Sequence, residues 1–417
     1  MYPSIRPRAA VDTAEETEPA EVAGRAISAN VVFLGFTSFF TDISSEAVNA
    51  IIPIYLLFQL RFSYLEIGLF NGLYLGINGI MSIASAIFSD RHRRYKEIAA
   101  TGYGTSAVCK LGLVVTRNAP WPASTILFVD RVGKGIRTSP RDALISLSSS
   151  KRRLASAFGV HRAFDTAGAV LGPFVAFLIL RNAPNAYDTV FVISFLFALV
   201  GLGVLVLFVQ NKRDTGRHEV ASLRSALGLL ARPEFRALAI TGAILGLFTI
   251  ADASIYLTVQ QRTSFDSAYF PLLYVGMNIS YLILAIPMGV VADRVGRSRV
   301  FLGGFVLLLV LYVVLLRPSI TPIDVLATIA LLGAFYACTD GVLNAMASVA
   351  SPDALRTSGL AVLTTVTALS ALVSGIAWGL FAEWWGLVTT AKVFAVFLGI
   401  SIVFAAVVLQ VRRKRYG

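Results

Sequence analysis

Residues 289–297 read Gly289-Val-Val-Ala-Asp293-Arg294-Val-Gly296-Arg297, and residues 89–94 read Ser89-Asp90-Arg91-His92-Arg93-Arg94. In both places a long apolar run ends at an aspartate and passes through a short basic turn into the next apolar run. The earlier copy lacks the leading glycine, and His92-Arg93 stand where Val-Gly stand in the later one. Each copy closes the second apolar run of its half of the chain, which makes the chain a duplication. Working outward, apolar runs fall near 30–59, 66–89, 98–117, 123–147, 155–180 and 189–210. After a polar interval they resume near 236–259, 268–291, 300–316, 323–348, 358–382 and 390–411. A spanning helix takes about 20 predominantly apolar residues, so the pattern predicts twelve spans arranged as six, a linker and six.

Composition requires the same class. The chain has 417 residues, of which 56% are hydrophobic and only 14% charged, with a mean hydropathy of +0.73. A soluble globular chain is excluded, and so is a protein anchored by one span. The expected fold is an all-α membrane protein with two pseudo-symmetric six-helix bundles. Its expected organisation is a disordered tail at 1–29, a first bundle at 30–210, a linker at 211–235, a second bundle at 236–411 and a basic tail at 412–417. The first tail carries Glu15, Glu16 and Glu18 and lacks the basic start and apolar core of a signal peptide.

The formal net charge is +12, which in a soluble protein would suggest a nucleic-acid partner. With the N-terminus inside, 24 of the 36 Lys and Arg fall in cytoplasmic segments. Arg61, Arg117, Arg181, Arg262, Arg317 and Lys392 fall outside. This positive-inside bias fixes an orientation with both termini cytoplasmic and accounts for most of the excess charge, so no nucleic-acid partner is expected. Cys109 and Cys338 both lie in apolar runs and are read as packing residues. No metal and no cofactor is expected.

The segment from Gly289 to Arg297 resembles the signature loop of the major facilitator superfamily between spans 8 and 9, with residues 88–94 as its degraded first copy. The resemblance implies a conformational latch made of Asp90, Arg91, Arg94, Gly289, Asp293, Arg294, Gly296 and Arg297. Physically, a carboxylate at a helix end can bond arginines of the same turn and hold two helix ends together. Span 5 carries Gly159, Gly168, Gly172, Pro173 and Ala176, a spacing similar to the antiporter motif of superfamily exporters except at Ala176. Small residues let another helix approach, and proline can bend a span. Asp130-Arg131-Val-Gly133-Lys134-Gly135, with Phe40-Thr41-Asp42-Ile-Ser-Ser-Glu46, resembles a bacterial subgroup of these permeases. That implies a bacterial plasma membrane location and a working monomer.

Ionisable residues inside a bilayer are expensive and mark function by default. The cations are Lys110, Arg131, Lys134, Arg137, Arg141 and Arg162; the acids are Asp42, Glu46, Asp130, Asp142, Asp165, Asp252 and Asp340. Asp42 and Glu46 lie one turn apart, and two neighbouring carboxylates rarely both ionise, so one is expected to carry a proton. Asp130, Lys134, Arg137 and Arg141 form a stripe along span 4; His161 and Asp165 share a face of span 5, with Arg162 beside them. Proton coupling is therefore assigned to Asp42, Glu46, Asp130, Arg131 and Asp165. Substrate contacts in the first half are assigned to Lys134, Arg137, His161 and Arg162. In the more apolar second half they are assigned to Asp252, Tyr256, Tyr274, Asn278, Tyr281, Tyr336, Asp340, Asn344 and Trp378. The bland alternative is a self-neutralising network in which Asp130 pairs with Lys134, Asp42 or Glu46 with Arg131, and Asp165 with Arg162.

No G-x-x-x-x-G-K-[ST] loop and no H-E-x-x-H is present, so neither ATP hydrolysis nor an intramembrane hydrolase is expected. The expectation is a non-enzymatic, proton-coupled antiporter. It would export a small anionic or amphipathic molecule by alternating access, with protons and the bilayer as its other partners. A proton symporter importing an anionic metabolite and a lipid transporter on the same fold remain as alternatives.

Overall fold

The computed structural model describes residues 28–116, 119–149, 154–212, 228–352 and 356–416. Residues 1–27 of the expected tail at 1–29 and most of the linker lie outside them. Thirteen α-helices occur among the described residues. The first six are α1 (Ala29–Ile54), α2 (Tyr64–His92), α3 (Tyr95–Val115), α4 (Pro120–Leu147), α5 (Leu154–Asn182) and α6 (Tyr187–Phe208). The remainder are α7 (Pro233–Leu247), α8 (Asp252–Thr263), α9 (Phe270–Val295), α10 (Arg297–Leu315), α11 (Pro322–Ala350), α12 (Arg356–Trp385) and α13 (Leu387–Tyr416).

Ten helical stretches among the described residues are long and apolar enough to cross a membrane. Neither α2 nor α4 is in that group; the polar stripe of α4 accounts for its own absence, although its 28 residues reach about 42 Å at 1.5 Å per residue. At 15 and 12 residues, α7 and α8 are each too short for a hydrocarbon core about 30 Å thick, so together they form the seventh span. The sequence reading expected an unbroken helix there. The break at 248–251 is held by Tyr312, whose hydroxyl donates to the Phe248 carbonyl at 3.1 Å and accepts the Ile250 N–H at 2.7 Å. Ser374 donates to the Thr249 carbonyl at 2.7 Å. These side chains satisfy backbone groups that lipid would leave orphaned, which is the condition for irregular backbone at membrane depth.

Local signals set the helix ends. Ser63 and Glu66 cap α2 reciprocally, and Thr321 and Asp324 do so for α11, with Pro322 in its first turn. Gly296 separates α9 from α10 at φ +111°, a conformation that side chains other than hydrogen rarely adopt. The matching position of the earlier copy, Arg93, also turns at positive φ, 53°. The two loops share a positive φ but not a shape, since ψ is 34° at Arg93 and 127° at Gly296.

In the first half α1 packs on α5 and α6, and α3 and α2 pack on α4; in the second, α11 packs on α9 and α10, and α7 on α12 and α13. The halves meet through α2 against α12 and α5 against α9. Under the duplication, spans 2 and 5 correspond to spans 8 and 11, so these two contacts are the same contact exchanged by a pseudo-two-fold axis. At the face opposite the termini it is tight. A Cβ on Gly68 would stand 2.1 Å from the Gly375 carbonyl oxygen, and one on Gly379 2.6 Å from that of Tyr64. Tyr64 also donates its hydroxyl hydrogen to Gln261 across the halves at 2.6 Å.

Candidate functional site

Ser38, Asp42, Glu46 and Asn49 share one face of α1, and Arg131, Lys134, Arg137 and Arg141 share one face of α4. The two helices run in opposite directions, so the faces meet as a ladder. Arg131 Nη2 donates to Asn49 Oδ1 at 2.5 Å. Lys134 Nζ lies 3.2 Å from Glu46 Oε1, Arg137 Nη2 3.7 Å from Asp42 Oδ1, and Arg141 Nη1 donates to Ser38 Oγ at 3.3 Å. Long side chains span the gap, because the close backbone partner of α1 is α5. There the motif glycines act: a Cβ on Gly168 would meet the Phe39 carbonyl oxygen at 2.7 Å, and one on Gly172 that of Ile43 at 2.7 Å. Gly159 faces open space, Pro173 lies inside α5, and Ala176 is buried.

The ladder is bounded by two polar groups. On one side Asp130 turns away from it toward α3, accepting from Lys110 Nζ at 2.7 Å and from Ser106 Oγ at 2.5 Å, with Arg131 at 3.8 Å. Lys110 and Asp130 are buried. On the other side, Ser38 Oγ and His161 Nε2 are 2.9 Å apart and His161 Nδ1 is 3.4 Å from Asp165. Arg141 reaches Asp142 at 2.9 Å and Asp165 at 4.0 Å. The pairings expected from sequence are therefore replaced. Asp130 pairs with Lys110 instead of Lys134, Arg131 binds Asn49 instead of a carboxylate of α1, and Asp165 pairs with His161 and Arg141 instead of Arg162. Spacing within one helix constrained the choice, but partners on other helices were closer in space.

The second half contributes a different surface. Tyr336 donates its hydroxyl hydrogen to Asp252 Oδ1 at 2.8 Å, at the start of α8. The rings of Tyr256 and Tyr274 meet edge to face at 4.7 Å. Asn278 donates to the Ala169 carbonyl of α5 at 3.2 Å, joining the halves. Asp340 and Asn344 are exposed and Tyr281 is half-buried. Trp378 is buried against Phe394 with ring centroids 5.3 Å apart.

At the signature loop Asp293 receives Arg297 Nη2 at 3.0 Å, joining the end of α9 to the start of α10. Arg91, Arg94 and Arg294 are exposed. Gly289 lies inside α9, and the side chain of Asp90 lies outside the described residues. Sequence reading missed Ser38, Asn49, Tyr74 and Ser106. Tyr74 stacks beneath Arg131, 3.7 Å from guanidinium carbon to ring centroid, and donates to Asn49 at 2.5 Å. Ser38 and Asn49 had a signal, since they extend the Asp42–Glu46 face by one turn each way. Tyr74 and Ser106 had none. No cluster of three or more metal-ligating side chains occurs among the described residues.

A helical membrane protein of two matched bundles with buried ionic groups is the architecture of a secondary transporter. The sequence profile of the Major Facilitator Superfamily matches residues 34–279 and 254–416, and the chain belongs to that family. It is 31% identical over 397 residues to an uncharacterized MFS-type transporter of Methanocaldococcus jannaschii, covering 91% of this chain and 96% of the relative. An uncharacterized protein of Mycobacterium tuberculosis is 30% identical over 171 residues, 41% of this chain and 40% of its own length. Among solved structures, a POT family transporter in complex with 5-aminolevulinic acid superposes with a TM-score of 0.78 at 13% identity, covering 94% of this chain and 97% of its own. A mutant of the nucleoside transporter NupG gives 0.76 at 16% identity, covering 91% and 99%. At these identities the structures share the fold. The chain is a multi-pass membrane transporter of the major facilitator type.

Proposed function

We propose that this transporter is a proton-coupled antiporter that exports a small anionic or amphipathic organic molecule by alternating access. The observation that carries the reading is the ladder between α1 and α4, in which Glu46 and Asp42 each hold a basic side chain, at 3.2 and 3.7 Å. A proton arriving on either carboxylate cancels its attraction for the partner and frees Lys134 or Arg137 for an anionic substrate. Substrate arrival in turn competes for the cation and favours proton binding. Lys134 and Glu46 keep 26% and 25% of their side-chain surface exposed, enough to exchange partners. Lys110–Asp130, at 2% and 8%, is the structural strut beside it, and His161 next to Asp165 extends the proton path.

In this reading the halves rock about the α2–α12 and α5–α9 contacts, and the Asp293–Arg297 turn latches one state. The protein works as a monomer in a bacterial plasma membrane with both termini cytoplasmic. A second reading, proton symport inward, draws on Gly168 and Gly172, which serve the α1–α5 contact inside one half and so carry no necessary information about direction. The test is reconstitution in acid-loaded proteoliposomes with a panel of organic anions, lipophilic cations and zwitterions. Substrate-triggered proton release with counter-uptake of the compound supports antiport. Proton and compound moving together supports symport. A protein shown to be folded that moves no protons with any compound overturns both.

A further inference from the structure

Acids in the two halves are treated differently. In the first half each of the intramembrane acids has a cationic partner: Asp42 with Arg137, Glu46 with Lys134, Asp130 with Lys110, and both Asp142 and Asp165 with Arg141. In the second half no ion pair reaches Asp252 or Asp340 among the described residues. Asp252 is held by a neutral donor, the Tyr336 hydroxyl, at 2.8 Å. An intramembrane carboxylate without a cation is costly, and its surroundings here are built to receive a positive group.

A second observation points to a ligand at the same place. Tyr256 is 0% exposed, its hydroxyl has no hydrogen-bond partner among the described residues, and it lies one turn from Asp252 on α8 with its ring against that of Tyr274. A buried hydroxyl left unmatched costs about 1–3 kcal/mol, so it implies an absent partner. The rings of Tyr256 and Tyr274 add π faces beside the acid, a setting that favours an ammonium over a neutral donor. Asp340 follows Tyr336 by one turn on α11, which places a second carboxylate on the face that reaches Asp252.

We propose that Asp252 and Asp340, with the hydroxyls of Tyr256 and Tyr336, receive an ammonium group of the transported molecule, whose anionic end meets Lys134 in the opposite half. The substrate class is then a small zwitterion lying across the interface between the halves. This rests on the transporter reading above and adds the chemistry of the second half to it.

The test uses the purified full chain in detergent. Binding is measured by calorimetry for aminocarboxylates from glycine to 8-aminooctanoate, for the carboxylic acids of the same lengths and for the matching alkylamines. At one chain length or more, the aminocarboxylate is expected to bind about tenfold or more tighter than its matched acid and amine. Asp252→Asn brings its affinity down to that of the acid, Lys134→Gln down to that of the amine, and Asp252→Glu restores part of the loss. Tyr336→Phe, which removes no charge, gives a smaller loss and guards against a misfolded Asp252→Asn. Equal binding of acid and aminocarboxylate at every length overturns the proposal. So does absence of binding by every aminocarboxylate, or an Asp252→Asn variant that weakens acid and zwitterion alike. If Asp252→Asn instead abolishes proton movement in proteoliposomes and leaves zwitterion binding intact, Asp252 is a proton carrier and the proposal falls. Zwitterion binding lost in Asp252→Asn, with no proton movement in the parent protein, removes the coupling reading and leaves this site standing.

Discussion

Asp42 on α1 and Arg137 on α4 stand 3.7 Å apart, one turn along from Glu46 and Lys134 at 3.2 Å. Two adjacent rungs of the same polarity join helices whose backbones keep their distance, so the join depends on charge more than on packing. Changing one charge alters both the grip between the helices and the cation available to a substrate.

The rungs are expected to be energetically coupled. Asp42→Asn leaves Arg137, with 3% of its side chain exposed, without its counter-charge, while Asp42→Asn with Arg137→Gln removes both. In thermal or denaturant unfolding, the double variant is expected to be more stable than the single losses sum to, by about 0.5–3 kcal/mol. Additive losses would show that the rung makes no net interaction. Proton movement with substrate is expected to be lost in Asp42→Asn, read in the pH-dye assay.

Lys110 and Asp130 behave as a strut. Their contact is 2.7 Å, with 2% and 8% of the side chains exposed. Lys110→Ala is expected to destabilise by up to about 3 kcal/mol, because the buried carboxylate loses its closest charge and keeps only Ser106 and Arg131 at 3.8 Å. Lys110→Met with Asp130→Leu is expected to recover most of that loss. Retention of parental stability by Lys110→Ala would contradict the strut role.

Gly68 limits how closely the halves approach at the face opposite the termini. A Cβ there would stand 2.1 Å from the Gly375 carbonyl oxygen, closer than any real contact. Gly68→Ala is expected to open that face, raising the labelling of a cysteine placed at Tyr64 severalfold over the parent. Unchanged labelling would mean that the contact yields without separating the halves.

Gly296→Ala places a side chain at φ +111°, where it is strained although space is open around it. A loss of about 1–3 kcal/mol is expected from backbone conformation alone. Removing the Asp293–Arg297 contact with Asp293→Asn is expected to change stability by less than about 1 kcal/mol, since that pair is exposed. Any larger effect of Asp293→Asn on transport than on stability would then be conformational, and comparison of the two assays reads it.

The helical, multi-pass class and the duplicated loop were legible in the sequence. Each rests on a one-dimensional signal: apolar length set by bilayer thickness, charge placed between spans, and a loop repeated at matching positions. The polar faces of α1 and α4 were legible as well, because helical periodicity places residues three and four apart on one side. Which residues those faces meet was not. Asp130 turned to Lys110 of α3, Arg131 to Asn49 and Tyr74, and Asp165 to His161 and Arg141, choices made by the positions of neighbouring helices. The break at 248–251 escaped for the same reason, since Tyr312 and Ser374, which satisfy its carbonyls, lie far along the chain. Sequence by itself determined that charges must be buried in this membrane protein and on which helix faces; only tertiary structure decided their partners, because a buried charge takes the nearest opposite group in space, wherever the chain places it.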